Sequence, residues 1–240
     1  MGDEPVRDVL VIGHRGAAAH APENTLPSFE TAWKMGADMV ELDIQLTSDG
    51  EIVCVHDYDL ERVCGVKQLV SETSLEEIRR LDAGDGSRIP LLTEVLDFCR
   101  GKMGVNIEIK VPDIEEHALN MVLERDMRDS VMFSSFFHQP LRHLRELDGS
   151  IQTGVLYSEP PESPVQYALD FGATSINPLF FTLTPKMVEQ AHDAGLKVFP
   201  WTVNDEDMIL EMLKMGVDGI ISDMPDVAAR VVDLFLKQKT

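Results

Sequence analysis

Four short stretches hold side chains whose types and spacing could do chemistry together: His14-Arg15-Gly16, Glu41-Leu42-Asp43, Val55-His56-Asp57 and Asn106-Ile107-Glu108-Ile109-Lys110. Glu41 and Asp43 lie two residues apart, as do Glu108 and Lys110, so in a β-strand each pair shares one face. The carboxylates of Glu41, Asp43 and Glu108, with no neighbouring histidine pair or cysteine pair, suit a hard cation such as Mg²⁺ or Ca²⁺. Carboxylates in apolar strands need compensation, which favours a metal over three surface residues. Arg15 can grip two phosphoryl oxygens with its fork, and Lys110 can add a point charge, although pairing with Glu108 is its plainer role. Gly16 lets the backbone approach a ligand beside Arg15. His14 and His56 are imidazoles, a side-chain type suited to a pair in which one removes a proton while the other returns one. This set points to metal-assisted hydrolysis of a phosphodiester.

The elements that must position these residues alternate along the chain. Strand-like runs fall at 8–13, 39–45, 51–56, 104–109, 130–134, 151–156, 173–177, 196–203 and 218–222. Amphipathic helices are expected at 24–36, 91–100, 113–126, 139–147, 162–171, 184–194, 205–215 and 225–237. Thr93-Glu94 caps the second of these, Thr184-Pro185 opens the sixth, and Gly36, Gly195 and Gly216 end theirs. Nine strands are one too many for a (βα)₈ barrel. However, 39–45 and 51–56 are joined only by Thr47-Ser48-Asp49-Gly50, a hairpin turn that makes them antiparallel. With 51–56 set aside as an excursion, eight strand–helix units remain, and the fold class is an α/β (βα)₈ TIM barrel. Residues 57–90 break the alternation and hold one short helix, Ser74 to Leu81; they read as a small insertion over the C-terminal mouth. A single domain is expected over 1–240. In such a barrel the site forms at the C-terminal strand ends, about 4.8 Å apart, where the four stretches converge.

A charge of −21, from 42 acidic and 21 basic residues, argues against nucleic acid and stable association with anionic membranes. Cys54, Cys64 and Cys99 lack CxxC spacing and read as free core thiols of a reducing cytoplasm. Met1 to Arg7 is acidic and carries no apolar leader, and no run approaches a membrane span, so a cytoplasmic protein is expected. Homo-oligomerisation is left open. His20 could touch ligand from the first loop, whereas His117, His138, His143 and His192 read as surface residues. Trp201 fits either the barrel core or the carbon skeleton of a polyol at the mouth. No GxSxG, dinucleotide or Walker pattern is found.

The ordered set His14-Arg15-Gly16, Ala21-Pro22-Glu23-Asn24-Thr25, Glu41-Leu42-Asp43, Val55-His56-Asp57, Ile107-Glu108-Ile109-Lys110 and Trp201-Thr202-Val203-Asn204 resembles the glycerophosphodiester phosphodiesterase family. The resemblance runs from residue 14 to about 223. It implies the same barrel and insertion, Mg²⁺ or Ca²⁺ on Glu41, Asp43 and Glu108, an acid/base pair of His14 and His56, and phosphate on Arg15 and Lys110. It further implies hydrolysis of a small glycerophosphodiester to glycerol 3-phosphate and an alcohol, by water or through a cyclic phosphate. Glu23-Asn24-Thr25 are expected to shape the first helix, with Asn24 as its cap. His20 departs from the aromatic or small residue common before Ala21-Pro22, which bears on substrate preference. Two rivals remain: a lysophospholipase D or sphingomyelinase D-type enzyme, and a catalytically silent binding barrel. The first would need an apolar rim, for which Phe136-Phe137 and Leu179-Phe180-Phe181 are the candidates. The second would lack a histidine or a metal ligand, and all are present.

Overall fold

Each wall strand is a short run of β-branched and aliphatic residues, because a parallel strand must bury both of its faces. The computed structural model describes residues 7–238, so the acidic N-terminal stretch, Arg7 apart, lies outside the described residues. In chain order the elements are β1 (Leu10–Gly13), α1 (Leu26–Lys34), β2 (Met39–Leu46), β3 (Ile52–Cys54), β4 (Asp59–Leu60), α2 (Glu61–Cys64), β5 (Val66–Leu69), α3 (Leu75–Ile78), α4 (Leu92–Cys99) and β6 (Gly104–Ile109). There follow α5 (Glu115–Leu123), β7 (Val131–Ser135), α6 (His138–Leu147), β8 (Gln152–Tyr157), α7 (Pro164–Asp170), β9 (Ser175–Pro178), α8 (Pro185–Asp193), β10 (Lys197–Val198), α9 (Glu206–Met215), β11 (Gly219–Ser222) and α10 (Pro225–Lys237). The wall runs β10-β9-β8-β7-β6-β2-β1-β11, all parallel, and β3 pairs only β2, antiparallel, with Ile44 opposite Cys54. The expected (βα)₈ barrel and its hairpin excursion are both present.

Closure between β10 and β11 runs through backbone bonds outside the named strands: Asp218 N–H donates to Val198 O (3.0 Å), Ile221 N–H to Pro200 O (3.1 Å) and Val203 N–H to Ile221 O (2.9 Å). The run expected as strand 196–203 is regular only at Lys197–Val198, since Pro200 has no N–H to donate to a ladder. Alternation along β2 sends Val40, Leu42 and Ile44 into the layer under the helices, where Phe29, Ala32, Leu92 and Leu96 meet them. Glu41 and Asp43 take the opposite, inward direction. The barrel's lower interior is plugged by Ile12, Met132, Phe199 and Ile221, with Leu10, Met39 and Trp201 packed on them.

The insertion holds more structure than the single helix expected. β4 and β5 form a two-stranded antiparallel sheet, α2 lies between them, and Val53, Val55, Leu60, Val70, Ile78, Ala83 and Ile89 build a separate small core. Short segments with few apolar residues give no periodicity to read, so their order comes from docking on this core. The helix within Ser74 to Leu81 is α3 alone, started by a capping box between Ser74 and Glu77. Thr184 and Pro185 open α8 as expected, with Met187 N–H donating to Thr184 Oγ1 (3.2 Å). Helix α4 differs: its N-cap is Leu91, whose N–H donates to Glu94 Oε2 (2.8 Å), and Thr93 already lies inside the helix.

Candidate active site

Chain reversal at the end of β1 sets the first cluster. Arg15 and Gly16 take left-handed backbone (φ 50° and 88°), and the Arg15 N–H donates to Glu41 Oε2 at 2.8 Å. A Cβ at Gly16 would stand 2.7 Å from the carbonyl carbon of Ser28 at the start of α1. Packing against the start of α1 therefore demands glycine here, a reason the sequence did not show. Asn24, expected as the cap of α1, does not cap it. Thr25 is the N-cap, while Asn24, buried with φ 56°, donates from Nδ2 to Asp43 Oδ2 (2.8 Å) and accepts from Asp43 N–H (3.2 Å).

Register on β2 and β6 pairs Glu41 with Asn106 and Asp43 with Glu108, so three carboxylates meet at one level of the barrel. One oxygen from each of Glu41, Asp43 and Glu108 lies within 4.8 Å of the others, and all three residues are buried. Glu41 Oε1 and Asp43 Oδ1 are buried with no hydrogen-bond partner. Buried carboxylate oxygens left without donors fit a set that holds a hard cation. Burial, then the neighbouring Asp43 and Glu108, push the Glu41 carboxyl well above its ordinary value. Burial and then Asp43 push Glu108 up to about 7. Two cations balance the cluster in part. Lys110 Nζ donates to Glu108 Oε1 (2.7 Å) and lies 3.5 Å from Asp43 Oδ1, while Arg15 Nε lies 3.4 Å from Asp43 Oδ2. Burial works against both positive charges, yet the surrounding carboxylates hold them above their ordinary values.

Each candidate histidine is backed by a carboxylate on Nδ1. His14 Nδ1 sits 2.6 Å from Asp223 Oδ1, just past the end of β11, and Asn204 Nδ2 donates to the other Asp223 oxygen (2.7 Å). His56 Nδ1 sits 2.7 Å from Asp57 Oδ1, and Arg62 Nε donates to Asp57 Oδ2 at 2.6 Å. A carboxylate at Nδ1 fixes the proton there and leaves Nε2 as the free nitrogen. Arg62 holds the Asp57 carboxyl down at about 2, and chiefly burial holds His56 below the usual histidine value. Burial opposes ionisation of Asp223, but the hydrogen bond and charge of His14, the Asn204 hydrogen bond and the charge of Arg15 together outweigh it and lower that carboxyl.

His14, Arg15, Glu41, His56, Glu108 and Trp201 line one cavity of about 370 Å³, counting its open mouth. Asn106 and Ser134 line it as well. Lys110 is not among the lining residues: Glu108 and Asp43 engage it. Trp201 packs on the barrel plug, as one of its two expected roles has it, and also lines the cavity, with its indole N–H donating to Asn177 O (2.8 Å) and Phe136 edge-on at 5.5 Å. His20 lies 3.0 Å from Asp226, outside this cavity, and His138, expected at the surface, is half-buried between Tyr167 Oη and Leu156 O. Sequence reasoning assigned no role to Asp57, Asp223, Asn204 or Arg62, and gave Glu23 only a part in shaping the first helix. Asp57 was signalled by adjacency to His56, and Asp223 by its place just past a strand's C-terminal end; Arg62 gave no local signal.

The family model described as "Glycerophosphoryl diester phosphodiesterase family" matches residues 14–227. The chain is 39% identical over 236 residues to a glycerophosphodiester phosphodiesterase of Caldanaerobacter subterraneus subsp. tengcongensis, covering 93% of this chain and 97% of the relative. It is 35% identical over 237 residues to one of Bacillus altitudinis, covering 92% and 97%. Among solved structures it is similar to an Oleispira antarctica phosphodiesterase in complex with the product sn-glycerol-3-phosphate. That match has a TM-score of 0.85 and 30% identity, over 93% of this chain and 96% of that one.

Proposed function

This chain belongs to the glycerophosphoryl diester phosphodiesterase family, and from that premise we propose that it hydrolyses small glycerophosphodiesters to sn-glycerol 3-phosphate and an alcohol, the barrel and its insertion acting as one domain. The observation that carries this reading is the pair of carboxylate-backed histidines on one cavity with three buried carboxylates. His14 and His56 are the acid/base pair. One Nε2 takes the proton of the attacking oxygen, from water or from the substrate's own 2-hydroxyl, and the other returns a proton to the departing alkoxide. Asp223 and Asp57 hold the two rings in register and stabilise each imidazolium as it forms. Arg15 lines the cavity and grips the phosphoryl oxygens, and Lys110 adds positive charge beside Glu108. Glu41, Asp43 and Glu108 are the residues that would hold Mg²⁺ or Ca²⁺, which when bound supplies Lewis-acid charge to a phosphoryl oxygen. Trp201 gives the glycerol or alcohol skeleton an apolar wall.

No helix among the described residues is long and apolar enough to cross a membrane. Cys54, Cys64 and Cys99 are unpaired, which supports placing the protein in a reducing cytoplasm. The test is incubation with glycerophosphocholine, and separately with a lysophospholipid, each with and without EDTA. Release of glycerol 3-phosphate from the first substrate, lost in EDTA, is expected. Activity on the lysophospholipid alone moves the protein to the lipid-acting class, and activity untouched by EDTA removes the metal.

A further inference from the structure

Arg62 lies on α2, within the insertion, and is the hub of an ion-pair chain that joins two residues of the cavity lining, His56 and Arg15. Its Nε donates to Asp57 Oδ2 (2.6 Å), and its Nη1 and Nη2 donate to Glu23 Oε2 and Oε1 (2.7 Å each). The other Asp57 oxygen meets His56 Nδ1, and Glu23 Oε1 also accepts from Arg15 Nη1 (2.9 Å). The chain therefore runs His56–Asp57–Arg62–Glu23–Arg15, from the insertion to the loop between β1 and α1. We infer that Arg62 is a positioning residue: it latches the insertion onto that loop and so fixes His56 relative to Arg15 and His14.

Two features make a latch of this contact rather than one more surface pair. The backbone of the hairpin end is already pinned, because Gln45 Nε2 reaches the carbonyls of Val55 and His56 (3.1 Å each) and Asp57 (2.6 Å). What Gln45 leaves undetermined is the direction of the His56 ring, which depends on Asp57 and, through it, on Arg62. The second feature is geometry. Three guanidinium nitrogens at fixed separations engage two carboxylates, Asp57 beside the hairpin and Glu23 in the first loop, a geometry that the single nitrogen of an ammonium does not reproduce. Arg62 also shares Glu23 with Arg15. The side chain of Arg62 is 49% exposed, so the pair adds little to stability. Its effect falls on geometry instead.

This inference rests on the proposed hydrolysis, and its test separates the two. kcat and KM for glycerophosphocholine are measured at saturating divalent cation for the wild type, Arg62→Met, Arg62→Lys, Glu23→Gln and the Arg62→Met/Glu23→Gln double variant. Arg62→Met is expected to lower kcat roughly 10–100-fold, with KM within about threefold and the melting temperature within about 4 °C. Arg62→Lys stays at least about fivefold slow, since one ammonium nitrogen does not reproduce the three fixed donor positions of the guanidinium. In the Glu23→Gln background, where the latch is already open, Arg62→Met costs no more than about twofold. A normal kcat in Arg62→Met, full recovery in Arg62→Lys, or an undiminished loss in the Glu23→Gln background overturns the latch. A wild type inactive on every glycerophosphodiester overturns the proposed hydrolysis instead. The latch is then read by amide exchange over residues 57–69, which Arg62→Met must accelerate for the inference to stand.

Discussion

Three buried carboxylates around one point make the metal-free barrel electrostatically uncomfortable, and Glu108→Gln measures by how much. Burial and Asp43 lift the Glu108 carboxyl from 4.5 to about 7, with Lys110 and Arg15 already pulling the other way. A carboxyl whose folded value lies above its unfolded one favours folding fully below pH 4.5 and loses that advantage as the pH rises through 7. At pH 8 the ionised side chain costs the metal-free fold roughly 3 kcal/mol, which for a chain of this size is roughly 6–12 °C of melting temperature. Glutamine keeps the shape and discards the charge. In EDTA at pH 8, Glu108→Gln is expected to melt above the wild type by about that interval, and at pH 4.5 within about 2 °C of it. The order reverses with cation. At a concentration about a thousand times its dissociation constant, Mg²⁺ or Ca²⁺ gives the wild type about 4.1 kcal/mol, more than the ionised carboxylate costs it, and the variant gains little. Differential scanning fluorimetry at the two pH values, with and without cation, reads all of this. A variant that melts below the wild type in EDTA at pH 8 refutes the repulsion; equal gains from cation refute the ligand assignment.

Three further outcomes are expected. His14→Ala and His56→Ala each lower kcat by roughly 10²–10⁴-fold with the fold intact by circular dichroism; near-normal turnover in either removes that histidine from the chemistry. Asp223→Asn keeps a hydrogen bond to His14 but loses the charge that stabilises its imidazolium, so kcat falls by roughly 10²-fold or more with KM little changed; steady-state kinetics on glycerophosphocholine check it. Gly16→Ala combines left-handed backbone with a clash against the Ser28 backbone and lowers stability by about 2 kcal/mol or more in urea melts. An unchanged midpoint there means that the loop yields freely.

Much of this site was legible because its signals are local. Two-residue spacing fixes that Glu41 with Asp43, and Glu108 with Lys110, share a strand face wherever the strand lies. Asp49-Gly50 forces a hairpin, and counting the remaining strands gives the barrel, whose C-terminal ends gather the clusters. Short elements escaped for the complementary reason. Residues 59–69 carry too few apolar positions to show a period, and their order depends on a core shared with Val53 and Ile89. Asn24 has the side chain of a cap, but Asp43 offers a buried partner that outcompetes the helix end.

The sequence by itself determined the barrel, the three carboxylates, the two histidines and Arg15, since alternation, turn residues and strand ends are properties of neighbouring residues. Only the tertiary structure decided what stands behind them. Asp223 reaches His14 across 209 residues because closure lays β11 against β1. Arg62 reaches Glu23 across 39 because the insertion folds back over the mouth. Partners so far apart share no period, spacing or turn, and only the path of the folded backbone brings their charges within hydrogen-bonding distance.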